Sequence, residues 1–122
     1  MKTILQALIL SLTAAVAHAH TELASSTPAD EAVLDAAPEK IALQFSGAVR
    51  LMSLTVESEA TGKQDLGPLP SSASEQFSIE LPSLSDGSYV VSWRALSADT
   101  HVMTGKLGFT VNGAHAESHS NH

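Results

Sequence analysis

Apolar residues recur at every second position through most of this 122-residue chain, and that period leaves β-structure as the main option. Ile41, Leu43 and Phe45 alternate with Ala42, Gln44 and Ser46, as on a half-buried strand. Leu51 to Val56 reads as a second strand. Phe77, Ile79 and Leu81 alternate with Ser78 and Glu80 up to Pro82, and Tyr89, Val91, Trp93 and Ala95 alternate with Val90, Ser92, Arg94 and Leu96. Leu107, Phe109 and Val111 form the last clear run, closed by Asn112-Gly113. Reversal signals separate these runs at Thr61-Gly62-Lys63, Gly67-Pro68, Pro82 and Asp86-Gly87. Short strands punctuated in this way predict an all-β, immunoglobulin-like Greek-key β-sandwich. Trp93 shares its strand face with Val91 and Ala95, so it is expected in the core. Ala29 to Ala37, bracketed by Pro28 and Pro38, has the composition of a short helical turn.

Neither end of the chain shares this pattern. Met1-Lys2 followed by an apolar run from Ile4 to Val16 and by Ala17-His18-Ala19 has the layout of a cleaved signal peptide over residues 1–19. The run is too short to span a bilayer comfortably, and no other segment approaches the roughly 20 apolar residues that a membrane helix needs. Cleavage after Ala19 exposes His20 as a new N-terminus, so the folded domain is expected over 20–113. Residues 114–122 carry His115, His119 and His122 but no large apolar side chain, the composition of a disordered tail.

Charge and cysteine content remove several function classes. Asp and Glu number 13 against 6 Lys and Arg, a net charge of −7. That balance argues against nucleic acid and against anionic lipid, both of which call for basic surface. It tolerates metal cations. With no cysteine, an exported domain must rely on its apolar core, and every thiolate metal site or thiol nucleophile is excluded.

Histidine is then the informative residue. An N-terminal His20 offers two nitrogens, the α-amine and imidazole Nδ1, which can chelate one metal in a six-membered ring. The α-amine has an ordinary pKa of about 8, so freeing it for a metal costs little near neutrality. Two nitrogens on one residue suit the tetragonal preference of Cu(II). Asp99 and His101 lie two residues apart, which in an extended segment places both side chains on one face. They complete an N,N,N,O set with His20; equally, Asp99 in such a pattern can cap a turn beside a surface histidine.

The stretch Tyr89-Val90-Val91-Ser92-Trp93-Arg94-Ala95-Leu96-Ser97-Ala98-Asp99-Thr100-His101, with Gly105, Phe109 and Val111 downstream, resembles the CopC family of periplasmic copper-binding proteins. On the N-terminal side the likeness extends through His20, Ser26-Thr27-Pro28-Ala29, Leu34 to Pro38, and Leu43-x-Phe45-Ser46. The resemblance implies a cupredoxin-like barrel variant of the sandwich. It implies one Cu(II) per mature chain, held by His20, Asp99 and His101, and a role in sequestering or carrying copper for homeostasis or resistance. It also implies a periplasmic location and, as partners, an inner-membrane copper transporter or other copper-handling proteins. Thr100 and Glu31 stand where the family pattern has glycine, and Val102 stands where it often has proline.

Some CopC proteins hold Cu(I) in a methionine-rich loop. Here Met52 and Met103 lie in no methionine cluster, so packing or surface roles and a single Cu(II) site are expected. His115, His119 and His122 have the composition of an auxiliary metal tract. Glu57 and Glu59 read as solvated surface. A copper-dependent monooxygenase built on a histidine brace is the enzyme alternative, but Asp99 would fill a position that such chemistry leaves to oxygen. With one Trp, one Tyr and three Phe, the chain offers little aromatic surface for stacking sugars. A plain adhesion-type module is the non-metal alternative, for which loss of His20 or His101 would be neutral.

Overall fold

The computed structural model describes residues 21–113; the expected signal peptide at 1–19, His20 and the expected tail at 114–122 lie outside the described residues. Seven strands follow one another: β1 (Leu23–Thr27), β2 (Ala32–Leu34), β3 (Lys40–Ser58), β4 (Gly62–Asp65), β5 (Ser74–Glu80), β6 (Gly87–Ser97) and β7 (Val102–Val111). They form a single sheet in the order β1-β3-β6-β7-β2, with β4 and β5 also paired to β3. The sheet curls into a Greek-key half-barrel around one core. All pairings are antiparallel except that of β2 with β7.

The alternation within Ile41–Ser46 and within Leu51–Val56 belongs to one continuous strand rather than two. The pairing register with β5 shifts between Gln44 and Val49, where Ser46-Gly47-Ala48 offers no bulky side chain and no proline, and the chain stays in β geometry throughout. Up to Phe45 β3 pairs with β1 and β5; from Val49 on it pairs with β6 and β4, with one further β5 pair at Val49–Ser74. One strand thus serves both ends of the half-barrel. A register shift between Leu51 and Ser53 then changes which parity faces inward. Ile41, Leu43, Phe45, Val49 and Leu51 are buried before it, Leu54 and Val56 after it, and Met52 is turned outward.

Ala29 to Ala37 holds no helical turn. Ala32–Leu34 is extended and runs parallel to β7. The two prolines leave too few residues for a helix to satisfy its own ends, and the edge of β7 supplies the missing partners. Glu31 N–H donates to the Gly108 carbonyl at 2.6 Å, and Asn112 N–H donates to that of Leu34 at 2.8 Å. Ala32 and Leu34 pack against the core.

Aromatic contacts tie the curled sheet together. Phe45 meets Phe77 edge-on at 6.0 Å between centroids and Trp93 at 5.1 Å. Tyr89 stacks on Phe109, and its hydroxyl donates to the Ser85 carbonyl at 2.6 Å, bracing the turn that feeds β6. Fully buried side chains such as Ile41, Leu43, Leu54 and Phe45 each contribute roughly 1.5–3 kcal/mol, which is how a domain of this size holds together without disulfides.

Candidate metal centre

The hairpin joining β6 to β7 turns over Ala98, Asp99 and Thr100. Ser97 N–H donates to the His101 carbonyl at 2.9 Å, and Thr100 N–H donates to the Ser97 carbonyl at 2.9 Å. This is a three-residue hairpin loop, a tight turn followed by one left-handed residue. Thr100 is that residue, at φ 69°. Glu31 adopts φ 71°. Thus the two positions where this sequence carries a side chain in place of the family's glycine both hold the glycine-type backbone. The loop geometry survives at Thr100, at a cost in strain that a β-branched residue bears more heavily than most.

The loop, rather than the extended segment that the spacing suggested, brings Asp99 and His101 together. His101 Nδ1 stands 3.5 Å from Asp99 Oδ2, and both side chains are largely exposed. Two donors bound in adjacent positions at about 2 Å from a metal lie about 3 Å apart, so the pair needs only a small side-chain adjustment to share one ion. His101 is the one histidine among the described residues.

Sequence reasoning overlooked Ser97. It is buried, and its hydroxyl donates a short hydrogen bond to Asp99 Oδ1 and a longer one, 3.3 Å, to the His101 carbonyl. The Ser97 hydrogen bond, with help from the neighbouring His101, holds the Asp99 carboxyl below the usual aspartate range. Asp99 is therefore anionic and oriented near neutrality, the state a metal requires. The signal was present in the chain: Ser97 is the next same-face position before Asp99.

A cleft of about 370 Å³ opens beside this pair, lined by Thr21, Glu22, Ser97, Asp99, His101 and Met103. Thr21 and Glu22 come from the start of the described chain, the other four from the β6–β7 hairpin. A larger hollow, about 670 Å³, includes Glu57, Glu59, Asp86, Val90 and Lys106 in its lining. It contains no imidazole, so nitrogen-donor chemistry belongs to the smaller cleft. Asp99 and His101 supply two donors, and among the described residues no group of three or more His, Asp or Glu side chains converges on one point. The expected third and fourth donors, the two nitrogens of His20, lie outside the described residues.

Comparison with known proteins bears on the fold and the family. Residues 23–112 match the family model of the CopC domain. The chain is 40% identical over 107 residues to copper resistance protein C of Escherichia coli, covering 78% of this chain and 83% of that protein. It is 37% identical over 110 residues to copper resistance protein C of Pseudomonas syringae pv. tomato, covering 82% and 86%. Among solved structures it is similar to CopC from Methylosinus trichosporium OB3b, with a TM-score of 0.67 and 28% identity over 76% of this chain and 94% of that one. It is also similar to PcoC, a methionine-rich copper resistance protein from Escherichia coli, with a TM-score of 0.57 and 36% identity over 77% and 100%. The fold, the motif from Tyr89 to His101 and a family match spanning almost all the described residues lead to one conclusion: this chain belongs to the CopC family, the copper resistance proteins C.

Proposed function

We propose that this protein binds one Cu(II) per mature chain in the periplasm, through the α-amine and imidazole of His20 together with Asp99 and His101, and sequesters or carries copper for resistance. The observation that carries the reading is that Thr21 lines the same cleft as Asp99 and His101. Residue 20 is the covalent neighbour of Thr21, with a Cα–Cα step of about 3.8 Å. The approach is fixed by β3: Glu22 N–H donates to Ser46 Oγ at 2.9 Å, and Ser46 N–H donates back to the Glu22 carbonyl at 2.8 Å.

The donor chemistry fits this cargo. Three nitrogens and an already ionised carboxylate match the N,O-rich tetragonal preference of Cu(II). Four protein donors would satisfy a tetragonal Cu(II) ion and leave little room for a reacting molecule, which favours a binding protein over an oxidase. Export to the periplasm follows from the signal-type sequence at 1–19. A membrane copper transporter or another copper-handling protein is the partner such a role calls for.

Titration with Cu(II) and electron paramagnetic resonance test the reading, using the chain that starts at His20 and a version with one extra residue before it. One tightly held equivalent with nitrogen-rich tetragonal parameters, lost or reshaped by the extension, is the expected result. Equal binding by both versions overturns it.

A further inference from the structure

Met103 lines the copper cleft, although nothing in its sequence context suggests a ligand. In the β6–β7 register Met103 faces Ala95, and Gly105 faces Trp93. Both partners are buried, so Met103 sits on the inner face of β7, partly buried and packed against the core. One pair further along, Ser97 meets His101 through its backbone. His101 therefore stands at the rim of the cleft and Met103 at its inner wall, two residues apart. That step is about 6.6 Å along a strand, a gap that methionine's three rotatable bonds and an imidazole can close on one ion.

We propose that the same cleft also takes Cu(I), held by His101 and the Met103 thioether, where Cu(II) is held by His101 and Asp99. This rests on reading Asp99 and His101 as copper ligands. Thioether sulfur is soft and favours Cu(I), whereas carboxylate oxygen is hard and favours Cu(II). His101 is common to both ligand sets, so the two ions would compete for one cleft rather than occupy separate sites. Met52 offers no such site: it lies at the β3 bulge, turned outward and 47% exposed.

The experiment uses the mature protein beginning at His20, with Met103→Leu, Asp99→Asn and Met52→Leu variants. Cu(I) is titrated anaerobically against a chromophoric Cu(I) chelator, and Cu(II) separately against an amino-acid chelator. X-ray absorption of the Cu(I) form is expected to show a sulfur scatterer in the first coordination shell. Leucine keeps the shape of Met103, so Met103→Leu should lose that sulfur and about tenfold in Cu(I) affinity while Cu(II) binding holds. Asp99→Asn should weaken Cu(II) selectively, and Met52→Leu should change neither ion. Wild-type Cu(I) affinity in Met103→Leu, or equal losses for the two ions, overturns the proposal. Failure of the wild type to bind Cu(II) overturns instead the N-terminal site, and the sulfur signal then decides the Cu(I) site by itself.

Discussion

Thr100 donates its backbone N–H to the carbonyl of Ser97 at 2.9 Å and, at φ 69°, closes the loop that presents Asp99. Left-handed backbone costs a residue with a Cβ roughly 1–2 kcal/mol, and the cost is highest for β-branched side chains. Glycine at position 100 relieves that strain but gives the unfolded chain more freedom. The net expectation for Thr100→Gly is stabilisation of about 1 kcal/mol, or a rise of about 4–8 °C in Tm. Thermal unfolding of the apo protein measures it. Glu31→Gly, at φ 71°, should act in the same direction. An unchanged or lowered Tm in both variants would show that neither side chain is strained.

The site also depends on a close approach deeper in the sheet. A Cβ at Gly105 would stand 2.5 Å from Cζ2 of the Trp93 indole and 2.8 Å from its Nε1. Trp93 is buried against Phe45, so the ring has little room to retreat. Gly105→Ala should therefore cost about 1–3 kcal/mol, the usual penalty of overpacking. Denaturant unfolding gives that figure, and Trp93 emission, from the chain's one tryptophan, reports the displaced ring. Wild-type stability would mean that β7 shifts freely against β6.

Much of this was legible in the chain. Period-two alternation located β5, β6 and the core-facing residues of β7, because a sheet with one buried face imposes that period directly. The Asp99-x-His101 spacing predicted two neighbouring donors on an extended segment; the structure brings them together on a tight turn instead. Continuity of β3 was hidden because the parity of the buried residues changes between Leu51 and Leu54, and a bulge looks like a break when only alternation is read. β2 was hidden for another reason: Ala32–Leu34 is extended because β7 offers it an edge, a tertiary effect that alanine-rich composition opposes. Met103 looked like packing because soft-metal sites in sequence are recognised by clustering, and the neighbour that gives this methionine a role is a histidine.

Ser97 sets the charge of Asp99, and its removal has a signed consequence. Because the folded-state pKa of Asp99 is lowered, its stabilising contribution is complete above the ordinary aspartate value of about 3.9 and is lost as pH falls through the lower folded value. Ser97→Ala removes the principal cause, so Asp99 should titrate closer to the ordinary value and lose its charge at a higher pH. Carboxyl-carbon NMR of the apo protein follows that titration. Copper binding in the variant should weaken, with the greatest loss at acid pH, where protons compete for the freed carboxylate. An Asp99 that titrates as in the wild type would rule out the hydrogen bond as the source of the shift.

Gly47 controls the approach of the N-terminal arm without being a ligand. A Cβ at this position would lie 3.0 Å from Oγ1 of Thr21 and 3.6 Å from its Cγ2. Thr21 would have to yield by a few tenths of an ångström, and residue 20 is its direct neighbour. Gly47→Ala should thus lower Cu(II) affinity by about tenfold, the scale on which supporting residues tune a metal site. Fold stability should change little, because Thr21 lies at the end of the described chain and only partly buried. The decisive measurement is a double-mutant cycle between Gly47→Ala and the one-residue N-terminal extension. If His20 anchors the metal, the extension has already removed what Gly47 protects, and adding Gly47→Ala should cost nothing more. Equal losses from Gly47→Ala with and without the extension would place its effect elsewhere in the sheet and remove Thr21 as the lever that positions His20.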